Sequence, residues 1–99
     1  ISNPKEPFQV AAIFPKDKNG LLGANEADFI PNKYAFITSE GDSALAMIDI
    51  SDPTNPFIKN VLYDDGSQFL QGGHHLRIIG NYIYVAGLKN GIGIVKLTE

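Results

Sequence analysis

The chain repeats part of itself at a spacing of about 49 residues, and this repeat constrains the fold more than any other feature of the sequence. The stretch Met47–Phe57 contains the end of an apolar strand, a proline-bracketed turn and the start of another strand. A similar turn and strand start stand at the beginning of the chain, as Ile1–Phe8. The 99 residues therefore divide into a first unit of about 1–49 and a second of about 50–99, within one small domain.

Each unit predicts four short strands separated by turns rich in Gly, Pro, Asn and Asp. The predicted strands are Phe8–Phe14, Glu26–Ile30, Tyr34–Thr38, Ala44–Ile50, Phe57–Tyr63, His75–Ile79, Tyr82–Ala86 and Ile92–Leu97. Four strands in a unit of about 40–50 residues are typical of a β-propeller blade, and propellers have about four to eight blades. The sequence therefore predicts an all-β fold of two four-stranded antiparallel blades, which form part of a larger or oligomeric propeller.

The order of the strands predicts that one strand at each end belongs with another blade. Phe8–Phe14 precedes the first innermost strand, so it is expected to be the outermost strand of a different blade. The second blade stops at its third strand, Ile92–Leu97, and lacks an outer one. Phe8–Phe14 should pair with an upstream blade or with Ile92–Leu97 of another copy. Three arrangements stay open: a piece of a longer chain, a subunit of a homo-oligomeric ring, and a small sandwich that folds alone.

Aromatic side chains on the predicted strands imply an expectation about assembly. A lone pair of blades would expose the apolar faces that carry Tyr34, Phe36, Tyr82 and Tyr84. We therefore expect the chain to self-associate, or to be poorly soluble, unless neighbouring blades from the same or other chains cover these faces.

Several of these motifs resemble the LVIVD-repeat proteins, a β-propeller family. The resemblance is carried by the aromatic strand Tyr34–Ile37, by Ile48–Pro53 with the following Asn55–Pro56, and by Tyr82–Gly87. Lys96 departs from the pattern, because an Asp is usual at its position, and the last unit is expected to lack one turn contact. The resemblance implies a propeller fold and an extracellular or cell-surface protein, but it implies no common activity.

The composition narrows the classes of partner. A net charge of −3 and a pI near 5.2 argue against nucleic acid and anionic membranes, because both are bound by basic patches. The chain has no cysteine, which excludes disulfides, thiolate metal sites and thiol catalysis. Its apolar runs fall short of the roughly 18 residues that a membrane-spanning helix needs.

The two histidines lie at the start of a predicted innermost strand, near the axis of a propeller. Adjacent positions in a strand point to opposite faces, so His74 and His75 do not easily bind one metal ion together. Histidines from different blades of a ring could do so, which makes His75 a candidate ligand of a transition metal. The alternative is a hydrogen-bonded histidine at a strand start. Asp28 and Arg77 occupy equivalent innermost strands, and we expect them to meet or to share a polar neighbour.

Acidic residues in two loops are further candidates. Asp17 and Asn19 form half of a Ca²⁺-loop pattern, for which Glu26 is the nearby downstream acid, although an ordinary polar turn also explains them. Asp64 and Asp65 stand side by side next to a glycine, a pattern equally typical of a solvated turn. The sequence thus leaves the cofactor unknown, with Ca²⁺ or a transition metal as candidates.

The longer loops are predicted to emerge on one side of the blades, which we call the loop face. These loops are Pro15–Ala24, Ser39–Ser43, Asp64–Gly73 and Leu88–Gly91. Binding residues of rigid scaffolds usually lie in such loops, so a protein or glycan ligand is expected here, with His74, His75, Glu26, Asp64 and Asp65 as candidate contacts. The favoured function is a non-catalytic interaction scaffold. A metal-dependent propeller enzyme with a histidine near the channel and a structural assembly subunit are the alternatives.

Overall fold

The regular structure is entirely β in the part of the chain that the computed structural model describes, which is residues 9–16, 20–64, 73–87 and 91–97. The strands are β1 (Ala24–Ile30), β2 (Tyr34–Ser39), β3 (Ala44–Asp49), β4 (Phe57–Tyr63), β5 (Gly73–Ile79), β6 (Tyr82–Gly87) and β7 (Gly91–Lys96). Within these residues no helix has the length and apolar character needed to cross a membrane.

The strands form two antiparallel sheets, which confirms the predicted all-β fold of propeller-like blades. The first sheet has the order β1-β2-β3-β4, and the second has the order β5-β6-β7. Strand β4 crosses the repeat boundary to become the outer strand of the first sheet. The second sheet has three strands among the described residues, one fewer than the first sheet.

The strands of the two sheets pair in the same register, so each residue of the second sheet has an equivalent residue in the first sheet. Asp28 pairs with Phe36 as Arg77 pairs with Tyr84. Both innermost strands carry an irregularity at the same place, between Ala24 and Glu26 in β1 and between Gly73 and His75 in β5. The tight turns also correspond: Asn32 and Gly80 adopt φ angles of 62° and 61°, a left-handed conformation that Asn and Gly tolerate best.

The first sheet packs one of its faces, the covering face, against the second sheet. Alternation assigns these residues to it: Glu26, Asp28, Ile30, Tyr34, Phe36, Leu45, Met47 and Asp49. It meets the inner face of the second sheet, which consists of Leu76, Ile78, Ile83, Val85, Gly93, Val95 and Leu97. Phe36 is 1% exposed at the centre of this core. The expectation that both Tyr34 and Phe36 would be exposed is therefore wrong, because the second sheet covers them.

The other face of each sheet points away from this core. The back face of the first sheet carries Ala27, Phe29, Ala35, Ile37, Ala46 and Ile48, and Leu21 and Ile13 pack on part of it. The outer face of the second sheet carries His75, Arg77, Ile79, Tyr82, Tyr84, Ala86, Ile92, Ile94 and Lys96. Its large apolar residues are uncovered among the described residues, with Ile92 67% and Ile79 63% exposed.

Residues 9–16 lie outside the strands, although the sequence predicts one over Phe8–Phe14. Their exposure nevertheless alternates: Ala11 and Ile13 are half-buried, whereas Val10, Ala12 and Phe14 are exposed. The outermost strand of a blade pairs with the third strand of the same blade, whereas residues 9–16 belong to neither described sheet. The segment therefore has the alternating side-chain exposure of a strand without the backbone hydrogen-bond pattern of a sheet.

Candidate functional site

The carboxylate of Asp28 joins the innermost strands of the two sheets. Its Oδ1 accepts a hydrogen bond from the backbone N–H of Phe29, and its Oδ2 accepts one from the backbone N–H of Ile78, both at 2.9 Å. Phe29 and Ile78 are equivalent positions of the repeat. The Asp28 carboxylate therefore accepts a hydrogen bond from the equivalent backbone N–H of two successive blades, which stabilises the alignment of their innermost strands.

The side chains of Glu26 and His75 meet at the same rim. Glu26 Oε2 lies 3.3 Å from His75 Nδ1, and their side chains are 35% and 77% exposed. A pair this exposed contributes about 0–1 kcal/mol to stability. The structure thus brings together two predicted site residues that lie 49 positions apart, one on each blade.

Arg77 does not meet Asp28, contrary to the stronger form of our expectation. Asp28 bonds to the backbone of the residue that follows Arg77, and no ion pair joins the two side chains within the described residues. The reason is geometric. Equivalent residues of stacked blades point the same way, so Asp28 faces the second sheet while Arg77 faces away from the first.

The described loops come together on the predicted loop face. Asp42 Oδ2 accepts hydrogen bonds from the backbone N–H groups of Gly20 at 3.0 Å and Leu22 at 3.2 Å. Backbone bonds also run from Glu40 N to Gly23 O at 3.0 Å and from Asp64 N to Ser43 O at 2.8 Å. The sequence did not single out Asp42, because its role depends on two backbone donors about 20 residues away.

Asp64 is the one described member of the predicted acidic pair, and the backbone bond to Ser43 anchors it to the loop face. The side chain of His74 and the residues Asp17, Asn19 and Asp65 lie outside the described residues. Within the described ranges no group of three or more histidine or acidic side chains is arranged to hold a metal ion. Glu26 and His75 are therefore the only predicted ligands whose side chains meet there.

The turn after β3 gives a physical reason for its Asp-Ile-Ser sequence. Asp49 Oδ1 accepts hydrogen bonds from the Ser51 hydroxyl at 2.6 Å and from the Ser51 N–H at 2.9 Å. Both bonds lower the pKa of Asp49 below its usual value, and the bond from the Ser51 hydroxyl has the larger effect. Lys96 occupies the equivalent position in β7, and a lysine side chain cannot accept such bonds.

An apolar groove of about 500 Å³ lies on the back face of the first sheet. Its lining includes Ile13 and Pro15 from the segment 9–16, and Ala35, Ile37 and Ile48 from the sheet. The segment thus lies over the back face but leaves part of this apolar surface open.

Comparisons with known proteins agree with this geometry. The family model described as LVIVD repeat matches residues 30–64 and 74–96, which is more than half of the chain. No curated protein and no solved structure gives a significant match. The first matched range contains β2, β3 and β4 of the first sheet, and the second matched range falls on β5, β6 and β7 of the second sheet.

Proposed function

The chain belongs to the LVIVD repeat family, and from this premise we propose that it is a non-catalytic segment of a β-propeller that acts as an interaction scaffold. Its working surfaces are the sheet faces, which bind other β-sheets, and the loop face, which presents residues to further ligands. The outer face of the second sheet is the observation that carries this proposal.

The outer face has the composition of an interaction surface. Ile79, Ile92 and Ile94 are 63%, 67% and 57% exposed, and Tyr82 lies beside them at 40%. Large contiguous apolar patches are rare on proteins that work alone, and they mark binding sites. Arg77 and Lys96 add positive charge to the same face, which favours a partner with acidic residues around an apolar centre.

Sedimentation velocity of two single variants, Ile92→Lys and Ile94→Lys, tests this role. Burying an isoleucine side chain contributes about 1.5–3 kcal/mol, so each variant should weaken association by about tenfold or more. The matched control is Leu22→Lys, which changes an equally large aliphatic residue that is 52% exposed but lies on a loop.

The expected result is weaker association in both strand variants and unchanged association in the control. An unmodified chain that sediments as a monomer at every concentration contradicts the proposal. Equal effects of all three substitutions would do the same, because they would show that the outer face has no special part in binding.

A further inference from the structure

We propose that Glu26 and His75 together bind a divalent transition-metal ion, with Zn²⁺ as the type case, through Glu26 Oε2 and His75 Nδ1. The ion joins the innermost strands of the two sheets at the rim where these side chains meet. Water or a further ligand takes its remaining coordination positions. The inference goes beyond the proposed function, because the binding of sheet faces to one another needs no metal.

The first argument is the separation of the two ligand atoms. Glu26 Oε2 lies 3.3 Å from His75 Nδ1. Hydrogen bonds between charged partners are usually shorter, at about 2.7–2.9 Å. Zinc bonds of about 2.0–2.2 Å at a tetrahedral angle set two ligand atoms about 3.3–3.5 Å apart. The separation of these two atoms therefore need not change when both bind one ion.

The donor types select the class of metal. An imidazole nitrogen suits Zn²⁺, Cu²⁺ and Ni²⁺, whereas Ca²⁺ and Mg²⁺ take oxygen ligands. One nitrogen and one carboxylate oxygen are both ordinary ligands of Zn²⁺. Two protein ligands leave two positions of a tetrahedral ion open, so the bound metal can also contact a molecule from solution.

The second argument is that the fold fixes the two ligands relative to each other. Each innermost strand has an irregularity directly before its ligand residue, Glu26 in β1 and His75 in β5. Such bulges re-aim a side chain and are common beside functional sites. Asp28 holds the two strands together, because its Oδ2 accepts a hydrogen bond from the Ile78 N–H at 2.9 Å. Metal binding therefore does not have to align the strands, which lowers its cost.

The third argument is a buried hydroxyl beside Glu26. Thr38 pairs directly with Glu26 in the ladder of β1 and β2, so the two side chains share the covering face. Thr38 is 2% exposed, and its Oγ1 has no hydrogen-bond partner among the described residues. The equivalent position opposite His75 is Ala86, so the strand pairing itself requires no hydroxyl.

A role as an outer-shell group explains this hydroxyl. Directly paired residues have Cβ atoms about 4.5–5.5 Å apart, and carboxylates that bind a metal are usually held by further hydrogen bonds. The Thr38 hydroxyl is placed to hold the second carboxylate oxygen of Glu26 while the first binds the ion.

Charge at the rim also favours a cation. The Glu40 Oε2 accepts a hydrogen bond from Asn25 Nδ2 at 3.4 Å, and Asn25 is the neighbour of Glu26 in the chain. Asp28 adds a further carboxylate on the same strand. Fixed negative charges raise the local concentration of cations.

Calorimetric titration of the unmodified chain with ZnCl₂ tests the proposal, and ¹⁵N NMR of the imidazole nitrogens identifies the ligand atom. His75→Asn and Glu26→Gln each remove one ligand, and both side chains are exposed enough for the variants to fold. Loss of an outer-shell group alone costs about 10–100-fold in metal affinity, so loss of either ligand should weaken Zn²⁺ binding about tenfold or more. Thr38→Val should weaken it by a smaller factor. The matched control is Asp52→Asn, which changes a carboxylate in an exposed turn.

The expected result is one Zn²⁺ ion per chain, weaker binding in both ligand variants, unchanged binding in Asp52→Asn and a Zn²⁺-dependent shift of the His75 Nδ1 resonance. CaCl₂ should not shift this resonance. Absence of Zn²⁺ binding at millimolar zinc overturns the proposal. Affinity that Glu26→Gln leaves unchanged does so too, because the ion would then be bound without the carboxylate, and so does an equal loss of affinity in Asp52→Asn.

Discussion

Removing the carboxylate of Asp28 should uncouple the two blades at their innermost strands. Asp28→Ala deletes the acceptor for two backbone donors, the N–H of Phe29 and the N–H of Ile78. Hydrogen bonds to charged groups contribute about 1.5–3 kcal/mol. The bond to Ile78 is part-buried, which supports the low end of that range, and the local, exposed bond to Phe29 contributes less. The expected loss of unfolding free energy is about 2 kcal/mol.

Urea denaturation and amide hydrogen exchange together measure this effect. Asp28→Asn keeps one carbonyl oxygen and should cost about half as much. The matched control is Asp52→Ala, which removes the acceptor of two hydrogen bonds that Thr54 donates to Asp52 Oδ1 in an exposed turn. That variant should stay within about 0.5 kcal/mol of the parent protein.

The amide of Ile78 reports on the bridge directly. It should exchange about tenfold faster in Asp28→Ala, since a bond of about 1.4 kcal/mol corresponds to a factor of ten. It should keep its protection in Asp52→Ala. If Asp28→Ala leaves this amide protected, or if both variants lose equal stability, the carboxylate does not join the sheets and the reasoning fails.

Three further substitutions test the packing, a backbone conformation and the turn. Phe36→Ala should cost about 3–5 kcal/mol in urea denaturation because it empties the shared core, whereas Phe29→Ala, at a half-exposed position, should cost far less. Gly23→Ala should destabilise the chain more than Gly80→Ala: both positions have positive φ, but a Cβ at Gly23 would lie 2.6 Å from a backbone nitrogen and one at Gly80 would meet nothing within 4 Å. The lowered pKa of Asp49 means that its stabilising effect is complete above about pH 4 and disappears as the pH falls through the folded-state pKa. Asp49→Asn should therefore reduce the decrease in unfolding free energy that the chain shows as the pH is lowered below about 4.

The sequence predicted the blades well because their signals are local. Strand alternation, the proline turns and the repeat spacing predicted the existence and order of the seven strands in the described residues without reference to distant contacts. The correspondence of Asp28 with Arg77 was also visible, since the registers of the two sheets are the same.

The direction in which the blades face each other was not predictable by these means. Alternation separates two faces but does not say which one meets the neighbouring sheet, so Phe36 was expected to be exposed although it is in the core. The described part of the predicted strand Phe8–Phe14, residues 9–14, belongs to neither of the two described sheets. A strand exists only when paired, and pairing is not a local property.

The candidate site was predictable in part. The sequence named Glu26 and His75 for separate reasons, and the structure joins them across the blades. Asp42 was missed, because a carboxylate that binds backbone donors from another loop has no short motif. The bond of Asp28 to Ile78 was missed for the same reason, since the expected partner was the side chain of Arg77.

The molar mass of the unmodified chain in solution tests most directly whether its sheet faces are interaction surfaces. Light scattering over a dilution series should give masses that are multiples of 10.8 kDa and that decrease toward this value at low concentration. The apolar outer face and the open edge of β7 both predict this behaviour. A stable, cooperatively folding monomer of 10.8 kDa at every concentration would contradict the account.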